Sequence, residues 1–480
     1  MLKIYNSLSR REEVFQPRKD KKVQIFVCGP TVYDFSHLGH ARTYIFYDNF
    51  VNYLKYQGYK VVYIQNITDI DDKIIQRAKT EKKDWRDIAR KYEKGYLKDM
   101  KALKIENVSK YARATENIKE IKSQVKRLLE KGVAYQTKDG IYYDIKKFSD
   151  YGKLSRRTVE QAEDAVSRVD MAEGKRNKGD FCLWKYTNNL NSFTAHSIRK
   201  GRYEYEPAWQ SPWGWGRPGW HIEDTAIAEK YFGFQYDIHG GARELIFPHH
   251  EAEIAQMEAL SGKKPMVRYW VHSGLLTVDG QKMAKSLGNF KTIGDFLKKH
   301  SPWVLRFITF SSRYNSPLDY SEKTAEEAEE NLKKIKEFLI RLRGVRNKIK
   351  KENRGFIVSF EKKVFEGLEN DFNTPWVKAL IFSFISETNR KIDQNNISRK
   401  ESQEIIKVFR NINKIFKLLD FREIKKEEKL PKGVKKLVQL REKYRKQKKW
   451  QKADEIREEI GKLGYKIDDT EAKPKVSECK

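Results

Sequence analysis

The sequence predicts an α/β fold in which a parallel sheet is interrupted by an insert and followed by a C-terminal α-helical bundle. Apolar runs over residues 23–27 and 60–64 flank a segment with apolar residues at helical spacing, which is typical of a βαβ unit with parallel strands. Residues 116–205 are mixed and polar and break this alternation. From Ser321 onward, glycine and proline become sparse and dense charge follows a helical period.

Composition points to a polyanionic partner and away from membranes. The 480 residues include 98 Lys and Arg against 67 Asp and Glu, a formal charge of +31, and such an excess favours nucleic acid. A lysine-rich composition without such a partner is the alternative. No run approaches the ~20 apolar residues of a membrane span. The three cysteines, Cys28, Cys182 and Cys479, are too few and too scattered for a disulfide framework, so we expect a cytoplasmic protein.

A short loop follows the first apolar run and leads into the first helix. Gly29 and Pro30 end the strand, and His37, Gly39 and His40 stand where the helix begins. Ligands of open parallel sheets bind at the carboxyl ends of strands, where helix N-termini suit phosphate. Two imidazoles can add hydrogen bonds to phosphate oxygens. The alternative is a turn that carries two surface histidines.

Two later stretches have the composition of a small-molecule pocket. Thr68 is followed by Asp69, Asp71 and Asp72, which could orient an ammonium group or a metal-bound triphosphate, or could simply cap the next helix. Four tryptophans lie among glycines and prolines within residues 209–220. Such large rings could wall a pocket or form a hydrophobic hairpin.

Two further patterns could bind a cation and a phosphate. His249 and Glu253 are one helical turn apart and can bind zinc together, although a surface hydrogen bond is the commoner role of such a pair. Lys282 and Lys285 flank a predicted turn, from which two lysines can neutralise charge on a leaving pyrophosphate. The phosphate-binding interpretation of this turn is strengthened because the turn follows the His-x-Gly-His pattern in chain order.

These motifs together resemble those of one enzyme class. Residues 29–40 are similar to the first nucleotide-binding motif of class I aminoacyl-tRNA synthetases, and residues 282–286 resemble their second, with alanine in the middle position. Cys28, directly before the first motif, and the runs over residues 66–73 and 216–223 resemble the cysteinyl-tRNA synthetases in particular. The resemblance covers nearly the whole chain.

The resemblance implies a Rossmann-like catalytic domain that an insertion splits, followed by helical domains. The implied ranges are residues 1–115 and 206–290 for the catalytic domain, 116–205 for the connective insertion, 291–330 for a linking region that contacts the tRNA stem, 331–400 for a helical bundle, and 401–480 for a helical anticodon-binding domain with a disordered tail.

The resemblance also implies roles for individual residues at the nucleotide. The residues that would stabilise phosphate charge during catalysis are His37, His40, Lys282 and Lys285. Those that would bind ATP are Gly29, His37, Gly39, His40 and Lys285. Mg²⁺ would accompany the ATP.

At the amino acid, the resemblance implies a pocket and a metal. The residues that would contact L-cysteine are Cys28, Thr68, Trp220 and His239, and the ligands of one zinc ion per chain would be Cys28, Asp224, His249 and Glu253. Asp224 stands where the family has a cysteine. An oxygen ligand suits zinc less well than sulfur and loosens selectivity against other divalent metals.

The activity that the resemblance implies is the ATP-dependent joining of L-cysteine to the 3′ end of tRNA(Cys), through a cysteinyl-adenylate. Zinc would bind the substrate thiolate and thereby separate cysteine from serine, because pocket contacts alone separate near-isosteres only about 10- to 200-fold. The basic stretch over residues 421–450, with Tyr444 and Trp450, suits RNA binding, and the alternative is a solvated lysine-rich helix. A monomer is expected.

Two other functions remain open at this point. An amino-sugar–cysteine ligase shares the catalytic fold, although it would not explain the basic helical tail. A non-catalytic RNA-binding relic is suggested by Asp224 and Ala284, which both depart from the family pattern.

Overall fold

The computed structural model describes residues 1–158, 161, 174–187, 206–284, 287–347, 354–424, 431–469 and 474–478. Lys285 and Cys479, which the sequence analysis singles out, lie outside this part of the chain. The strands are β1 (Lys3–Asn6), β2 (Arg11–Val14), β3 (Lys22–Val27), β4 (Lys60–Ile67), β5 (Lys110–Arg113), β6 (Ala134–Gln136), β7 (Gly140–Tyr143), β8 (Phe181–Tyr186), β9 (Trp209–Ser211), β10 (Gly214–Pro218), β11 (Tyr236–Ala242), β12 (Val267–Ser273), β13 (Leu276–Val278), β14 (Gln281–Lys282), β15 (Leu318–Tyr320), β16 (Tyr465–Asp468) and β17 (Lys475–Glu478).

The helices follow the same chain order. They are α1 (Leu38–Tyr56), α2 (Asp72–Glu81), α3 (Trp85–Ala102), α4 (Ile118–Glu130), α5 (Trp220–Phe232), α6 (His249–Ser261), α7 (Ile293–Lys299), α8 (Pro302–Phe310), α9 (Glu322–Gly344), α10 (Gly355–Glu369), α11 (Thr374–Asp393), α12 (Arg399–Phe416), α13 (Lys432–Lys446) and α14 (Trp450–Lys462). None of these helices, within the ranges described, is both long and apolar enough to cross a membrane.

A five-stranded parallel sheet forms the centre of the fold and confirms the predicted class. Its strand order is β12-β11-β3-β4-β5, and every neighbouring pair is parallel. β3 is the middle strand, and its apolar residues from Ile25 to Val27 are all buried, as is usual in a parallel sheet, where both faces are covered. The predicted helical face of α1, with Tyr47, Phe50, Val51 and Leu54, is fully buried.

The described part of the predicted insert contributes strands to a second sheet. Strands β6, β7, β8, β10 and β9 pair antiparallel in that order. The tryptophan-rich stretch therefore forms a hairpin, β9–β10, in which Trp213 packs near Trp184 and Trp209 near Trp85. Of the four tryptophans, only Trp220 lines the cavity described below. The hairpin interpretation therefore applies to the first part of the stretch, and the pocket-wall interpretation applies to Trp220.

The chain forms two compact units. The first comprises Met1–Lys333, Ser359–Ile381 and Arg410–Leu419, and the second comprises Lys334–Val358, Phe382–Phe409 and Asp420–Lys480. These units cross the boundaries predicted at residues 331 and 401, because parts of α10, α11 and α12 belong to the first unit. The predicted domain ranges therefore stay predictions.

The second unit ends in a hairpin where the sequence predicts a disordered tail. β17 pairs antiparallel with β16 over Lys475–Glu478. Val476 packs on a small core of Val434, Ile456, Ile460 and Ile467. This burial stabilises a strand that is hard to recognise in the sequence, because the neighbouring residues are polar.

Candidate active site

The N-terminus of α1 is capped by its own histidines. His37 Nδ1 accepts a hydrogen bond from Gly39 N–H at 3.1 Å, and His40 Nδ1 accepts one from His37 N–H at 3.3 Å. Since each Nδ1 is an acceptor, each neutral ring carries its proton on Nε2 and can donate it to a ligand. Desolvation lowers the pKa of His37 to about 4 and lowers the pKa of His40 well below its usual value, so both rings are neutral at pH 7.

Gly29 and Gly39 occupy positions that leave no room for a side chain. A Cβ on Gly29 would lie 1.8 Å from the carbonyl oxygen of Asn66, and one on Gly39 would lie 2.9 Å from the His37 ring. Gly29 N–H also donates to Asn66 Oδ1 at 2.5 Å, which joins the ends of β3 and β4. Gly29 is thus required by the close approach of two strand ends, and Gly39 by the His37 cap.

The loop after β14 contributes to the same site. Asn289 closes this loop, because its Oδ1 accepts from Ala284 N–H at 2.8 Å and its Nδ2 donates to the carbonyl oxygen of Lys282 at 3.2 Å. Lys282 and Met283 line the cavity beside α1. The role assigned to Lys285 stays a prediction, since this residue lies outside the described residues.

A cavity of about 350 Å³ brings most of the predicted site residues together. Ten of them line it: Cys28, Gly29, His37, Gly39, His40, Thr68, Trp220, Asp224, His249 and Lys282. His239 and Glu253 do not line it and are fully buried beside Cys28. Sequence reasoning missed Tyr44, Asn66 and Glu244, which also line the cavity and which no local pattern distinguishes.

Thr68 and Trp220 form part of the wall near Cys28. Thr68 Oγ1 donates to Glu223 Oε1 at 3.0 Å and accepts from Asn66 Nδ2 at 3.3 Å. The Trp220 ring stacks on His249 with ring centroids 4.3 Å apart and is 39% exposed. One polar side chain of fixed orientation and one open aromatic face are suited to a small amino acid.

The aspartates after Thr68 have structural partners. Asp71 caps α2 by accepting from Lys73 N–H at 2.8 Å, and Asp69 accepts from Thr115 Oγ1 at 2.6 Å. Asp72 forms an ion pair with Arg217. None of the three is among the residues that line the described cavity, and the capping alternative describes Asp71 alone.

Donor atoms converge where the end of β3 meets α5 and α6. The ligand atoms of Cys28, His249, His250 and Glu253 all lie within 4.8 Å of one another. His249 Nε2 is 2.9 Å from Glu253 Oε1 and 3.1 Å from Asp224 Oδ2. Three of the four predicted ligands, Cys28, His249 and Glu253, therefore meet in a buried cluster that is compatible with a metal ion, and Asp224 adjoins this cluster beside His249.

His250 joins this cluster although the sequence analysis did not assign it a role. Its Nε2 lies 3.1 Å from Cys28 Sγ, whereas Asp224 adjoins the cluster beside His249. Because adjacent helical residues do not face each other, the local pattern singles out His249 and Glu253 and not His250. The His250 ring joins the cluster through its contact with Cys28, which follows β3.

The electrostatics of the cluster depend on its burial. Burial raises the pKa of the Cys28 thiol, and the Glu253 and Asp224 carboxylates raise it further. Burial would lower the pKa of His249, but the same carboxylates raise it to about 9. Burial also raises the pKa of Glu253 to about 7. A divalent cation would replace these protons and favour the thiolate and carboxylates, so metal binding and deprotonation would be linked.

Models of known families match three parts of the chain. Residues 14–330 match the model "tRNA synthetases class I (C) catalytic domain", residues 363–420 match the "DALR domain", and residues 427–473 match the "Cysteinyl-tRNA ligase anticodon binding domain". The first match alone covers more than half of the chain.

Similar proteins extend over the full length. The cysteine–tRNA ligase of Thermococcus gammatolerans is 42% identical, with 98% of this chain and 97% of the relative covered, and that of Thermoplasma volcanium is 43% identical, with 97% of each covered. A solved structure of Mycobacterium tuberculosis methionyl-tRNA synthetase with methionyl-adenylate has a TM-score of 0.60 at 13% identity, covering 82% of this chain and 89% of that one, which shows a shared fold alone. The chain belongs to the cysteine–tRNA ligase family of class I aminoacyl-tRNA synthetases.

Proposed function

We propose that the chain activates L-cysteine with ATP and transfers the cysteinyl group to the 3′ end of tRNA(Cys), with zinc selecting the thiolate. The observation that carries this proposal is one cavity whose wall includes His37 and His40 as well as Cys28, Thr68 and Asp224. A nucleotide and an amino acid bound together there would bring the amino-acid carboxylate to the α-phosphate. Positioning of reactants supplies much of the rate of such reactions.

The α1 histidines would bind the phosphates through hydrogen bonds. Because the Nδ1 atoms of His37 and His40 are occupied by backbone N–H groups, their Nε2–H groups are the donors. The positive end of the α1 dipole adds to the attraction for phosphate. Lys282 and Lys285 would supply the positive charge that ATP-Mg and the leaving pyrophosphate require.

No side chain needs to act as a nucleophile. The carboxylate of L-cysteine would attack the α-phosphorus of ATP, and pyrophosphate would leave with the electrons of the broken P–O bond. A ribose hydroxyl of the terminal adenosine of tRNA would then attack the acyl carbon, and AMP would leave. The protein residues orient these groups and stabilise the charge that develops on phosphate oxygens.

Zinc fits the residues at the other end of the cavity. Asp224 Oδ1 is buried and accepts no hydrogen bond from the part of the chain that the structure describes, whereas Glu253 Oε2 lies 3.1 Å from His239 Nε2. Buried carboxylate oxygens without donors are costly unless a cation compensates them. We therefore propose Cys28, Asp224, His249 and Glu253 as ligands, and zinc would stabilise the substrate as a thiolate.

The remaining contacts to cysteine follow from the cavity wall. Thr68 donates its hydroxyl proton to Glu223 and accepts from Asn66, so the second lone pair of its oxygen would be the acceptor for the substrate ammonium group. Trp220 would cover the side chain of the substrate. His239 lies behind Cys28, with Nε2 3.4 Å from Sγ, and we propose that it acts on the amino-acid site through that cysteine.

The tRNA would be recognised through the second half of the chain. The match of residues 427–473 to an anticodon-binding domain supports this assignment, as does the net charge of +31. In that region Arg441 donates to both oxygens of Asp469, at 2.8 and 3.0 Å, which fixes α13 to the segment after β16. We further propose that the enzyme is a cytoplasmic monomer.

Two assays with the purified full-length chain test the proposal. Cysteine should promote exchange of labelled pyrophosphate into ATP, and serine should not. Labelled cysteine should become attached to tRNA(Cys) and not to an amino sugar. Absence of exchange with any divalent metal would contradict the proposed activity, and transfer to an amino sugar in place of tRNA would contradict the proposed acceptor.

A further inference from the structure

The turn between α10 and α11 contacts a segment that packs against one wall of the cavity. We infer that Asp371 in this turn and Arg42 in α1 are positioning residues for the nucleotide. Both hold residues 313–316, the supporting segment, which contacts residues 274–276, the cavity wall. Neither Asp371 nor Arg42 is among the residues that line the described cavity, so each acts through other residues. The inference rests on the proposed function only for the identity of the nucleotide as ATP.

The cavity wall lies directly against the supporting segment. Gly274 N–H donates to the carbonyl oxygen of Tyr314 at 2.7 Å, and β13, which begins within the wall, pairs in parallel with β15. A Cβ on Gly274 would lie 2.1 Å from the carbonyl oxygen of Ser316, so the two segments can approach this closely only because residue 274 is glycine. A shift of the supporting segment would therefore move the wall.

Arg42 joins the wall and the supporting segment to α1. Its side chain is buried, and Nη1 donates to the carbonyl oxygen of Leu275 at 2.6 Å. Nη2 donates to the carbonyl oxygens of Arg313, at 3.2 Å, and Ser316. The planar guanidinium presents its donors in a fixed fork. Arg42 thus fixes both segments relative to the helix that begins at the proposed phosphate-binding histidines.

Asp371 holds the supporting segment from the turn between α10 and α11. The hydroxyl of Tyr314 donates to Asp371 Oδ1 at 2.7 Å, and Tyr5 N–H donates to the same oxygen at 2.8 Å. Asn315 Nδ2 donates to Oδ2 at 3.4 Å. The carboxylate is buried, and several donors to one buried carboxylate fix its position. Tyr314 therefore connects Asp371, through its hydroxyl, to Gly274, through its carbonyl group.

The backbone of this turn has an unusual conformation. Asp371 and Phe372 both have a φ of 50°, which lies in the left-handed region that residues other than glycine rarely occupy. Phe372 packs edge-on against Phe50 of α1, with ring centroids 5.6 Å apart. Such a conformation persists only where its surroundings determine it, and it is frequent at functional sites. Here it accompanies the contact of the Asp371 carboxylate with the supporting segment.

A positioning role for the nucleotide differs from a general structural role in what it leaves unchanged. The proposed contacts to L-cysteine come from other elements, since Thr68 follows β4 and Trp220 begins α5. Loss of the Asp371 or Arg42 contacts should therefore weaken ATP binding and spare the amino-acid site. A general loss of structure would weaken both.

ATP binding by the full-length chain, measured by equilibrium dialysis without L-cysteine, is the first test. Asp371→Gly removes the carboxylate, and glycine tolerates the positive φ. We expect the dissociation constant for ATP to rise at least about tenfold, which is what one hydrogen bond to a charged group typically contributes. Asp371→Asn keeps an acceptor near Oδ1 and should lose less. Asp393→Ala, at an exposed position at the end of α11, is the control and should bind ATP like the wild type.

Two further variants test the other contacts. Arg42→Lys keeps the charge but cannot reach the separate carbonyl oxygens at once, so we expect a loss of at least about tenfold in ATP affinity. Tyr314→Phe removes only the hydroxyl that reaches Asp371 and keeps the ring that stacks on Phe46, and it should weaken ATP binding by a smaller factor. Thermal unfolding identifies any variant that does not fold, in which case Tyr314→Phe, the smallest change, decides.

Pyrophosphate exchange provides the second measurement. We expect the KM for ATP to rise in these variants and the KM for L-cysteine to stay unchanged. Unchanged ATP affinity in the folded variants, or equal losses for ATP and L-cysteine, would overturn the inference.

Dialysis and exchange together separate the inference from the proposed function. If the wild type binds ATP but shows no cysteine-dependent exchange, the proposed function fails, and weaker ATP binding in the variants than in Asp393→Ala would still support the inference. If the wild type exchanges and the folded variants bind ATP equally well, the inference alone fails. A wild-type chain that binds no ATP would overturn both.

Discussion

His37 donates its backbone N–H to Nδ1 of His40, and the two imidazole rings stack with centroids 3.8 Å apart. The contact joins the N-cap of α1 to its first turn and leaves Nε2 of His40 as the only ring atom that can donate a proton. A local capping interaction thus determines which atom of a catalytic candidate faces the cavity.

Substitution of His40 separates capping from phosphate binding. We expect His40→Asn, which keeps a side-chain acceptor near the position of Nδ1, to lower the rate of cysteine-dependent pyrophosphate exchange about 100-fold, because loss of one preorganised donor typically costs that much. His40→Gln places an amide N–H near Nε2 and should lose less. Equal losses in both variants, or none in either, would contradict the assigned donor.

Lys285 is expected to act on adenylate formation and not on tRNA binding. Lys285→Ala should slow pyrophosphate exchange while tRNA affinity, measured by filter binding, stays the same, since the charge acts on the leaving pyrophosphate. Lys298→Ala is the matched control, because Lys298 is exposed and paired with Asp295. If Lys285→Ala exchanges as fast as the control, Lys285 has no part in the mechanism.

Asp224→Cys restores the donor that the family pattern has at this position. A thiolate binds zinc more strongly than a carboxylate, so we expect zinc affinity to rise at least about tenfold while cysteine activation is preserved. Chelator competition and pyrophosphate exchange measure the two quantities. Unchanged zinc affinity would show that residue 224 does not contact the metal.

Truncation of the C-terminal region should separate the two half-reactions. The cut belongs after Leu419, because Arg410–Leu419 is part of the first compact unit and the carbonyl oxygen of Phe416 accepts from the buried Arg306 Nε at 2.8 Å. We expect removal of residues 420–480 to preserve pyrophosphate exchange and to abolish charging of tRNA. Intact charging would contradict the role given to this region.

A histidine between two carboxylates should make the stability of the first unit depend on pH. His300 Nδ1 is 2.8 Å from Glu329 and Nε2 is 3.1 Å from Glu322. Partial burial lowers the pKa of His300, but the two carboxylates outweigh it and keep the pKa above its usual value. A raised pKa means that the stabilisation is complete below the unfolded pKa and is lost as pH rises through the folded one.

The test compares wild type with His300→Gln by chemical denaturation. We expect the variant to be less stable by about 1 kcal/mol or less at about pH 6, and the difference to shrink as the pH rises beyond the ordinary histidine pKa of about 6.5. Glu326→Gln, at an exposed position of the same helix, α9, and within the first unit, serves as a control. A difference that stays constant with pH would show that the charge of His300 does not contribute.

The sequence by itself determined the elements whose signals are local. The apolar run of β3, the periodic face of α1 and the helix start at His249 all appear where predicted, because strand and helix periods and glycine turns act over a few residues. The motifs around His37 and Lys282 likewise identified the family, since each is contiguous in the chain. Ten predicted site residues line one cavity, although the sequence could give only their membership of a site and not their geometry.

Only the tertiary structure decided which groups meet across long stretches of chain. Cys28 lies more than 200 positions before His250, yet its sulfur is 3.1 Å from Nε2 of that ring. The reason is that the carboxyl end of β3 and the first residues of α6 lie at the same edge of the sheet. The same holds for β17, whose pairing depends on a small core formed by distant residues. Burial and convergence of this kind depend on the packing of whole elements, and no local pattern encodes them.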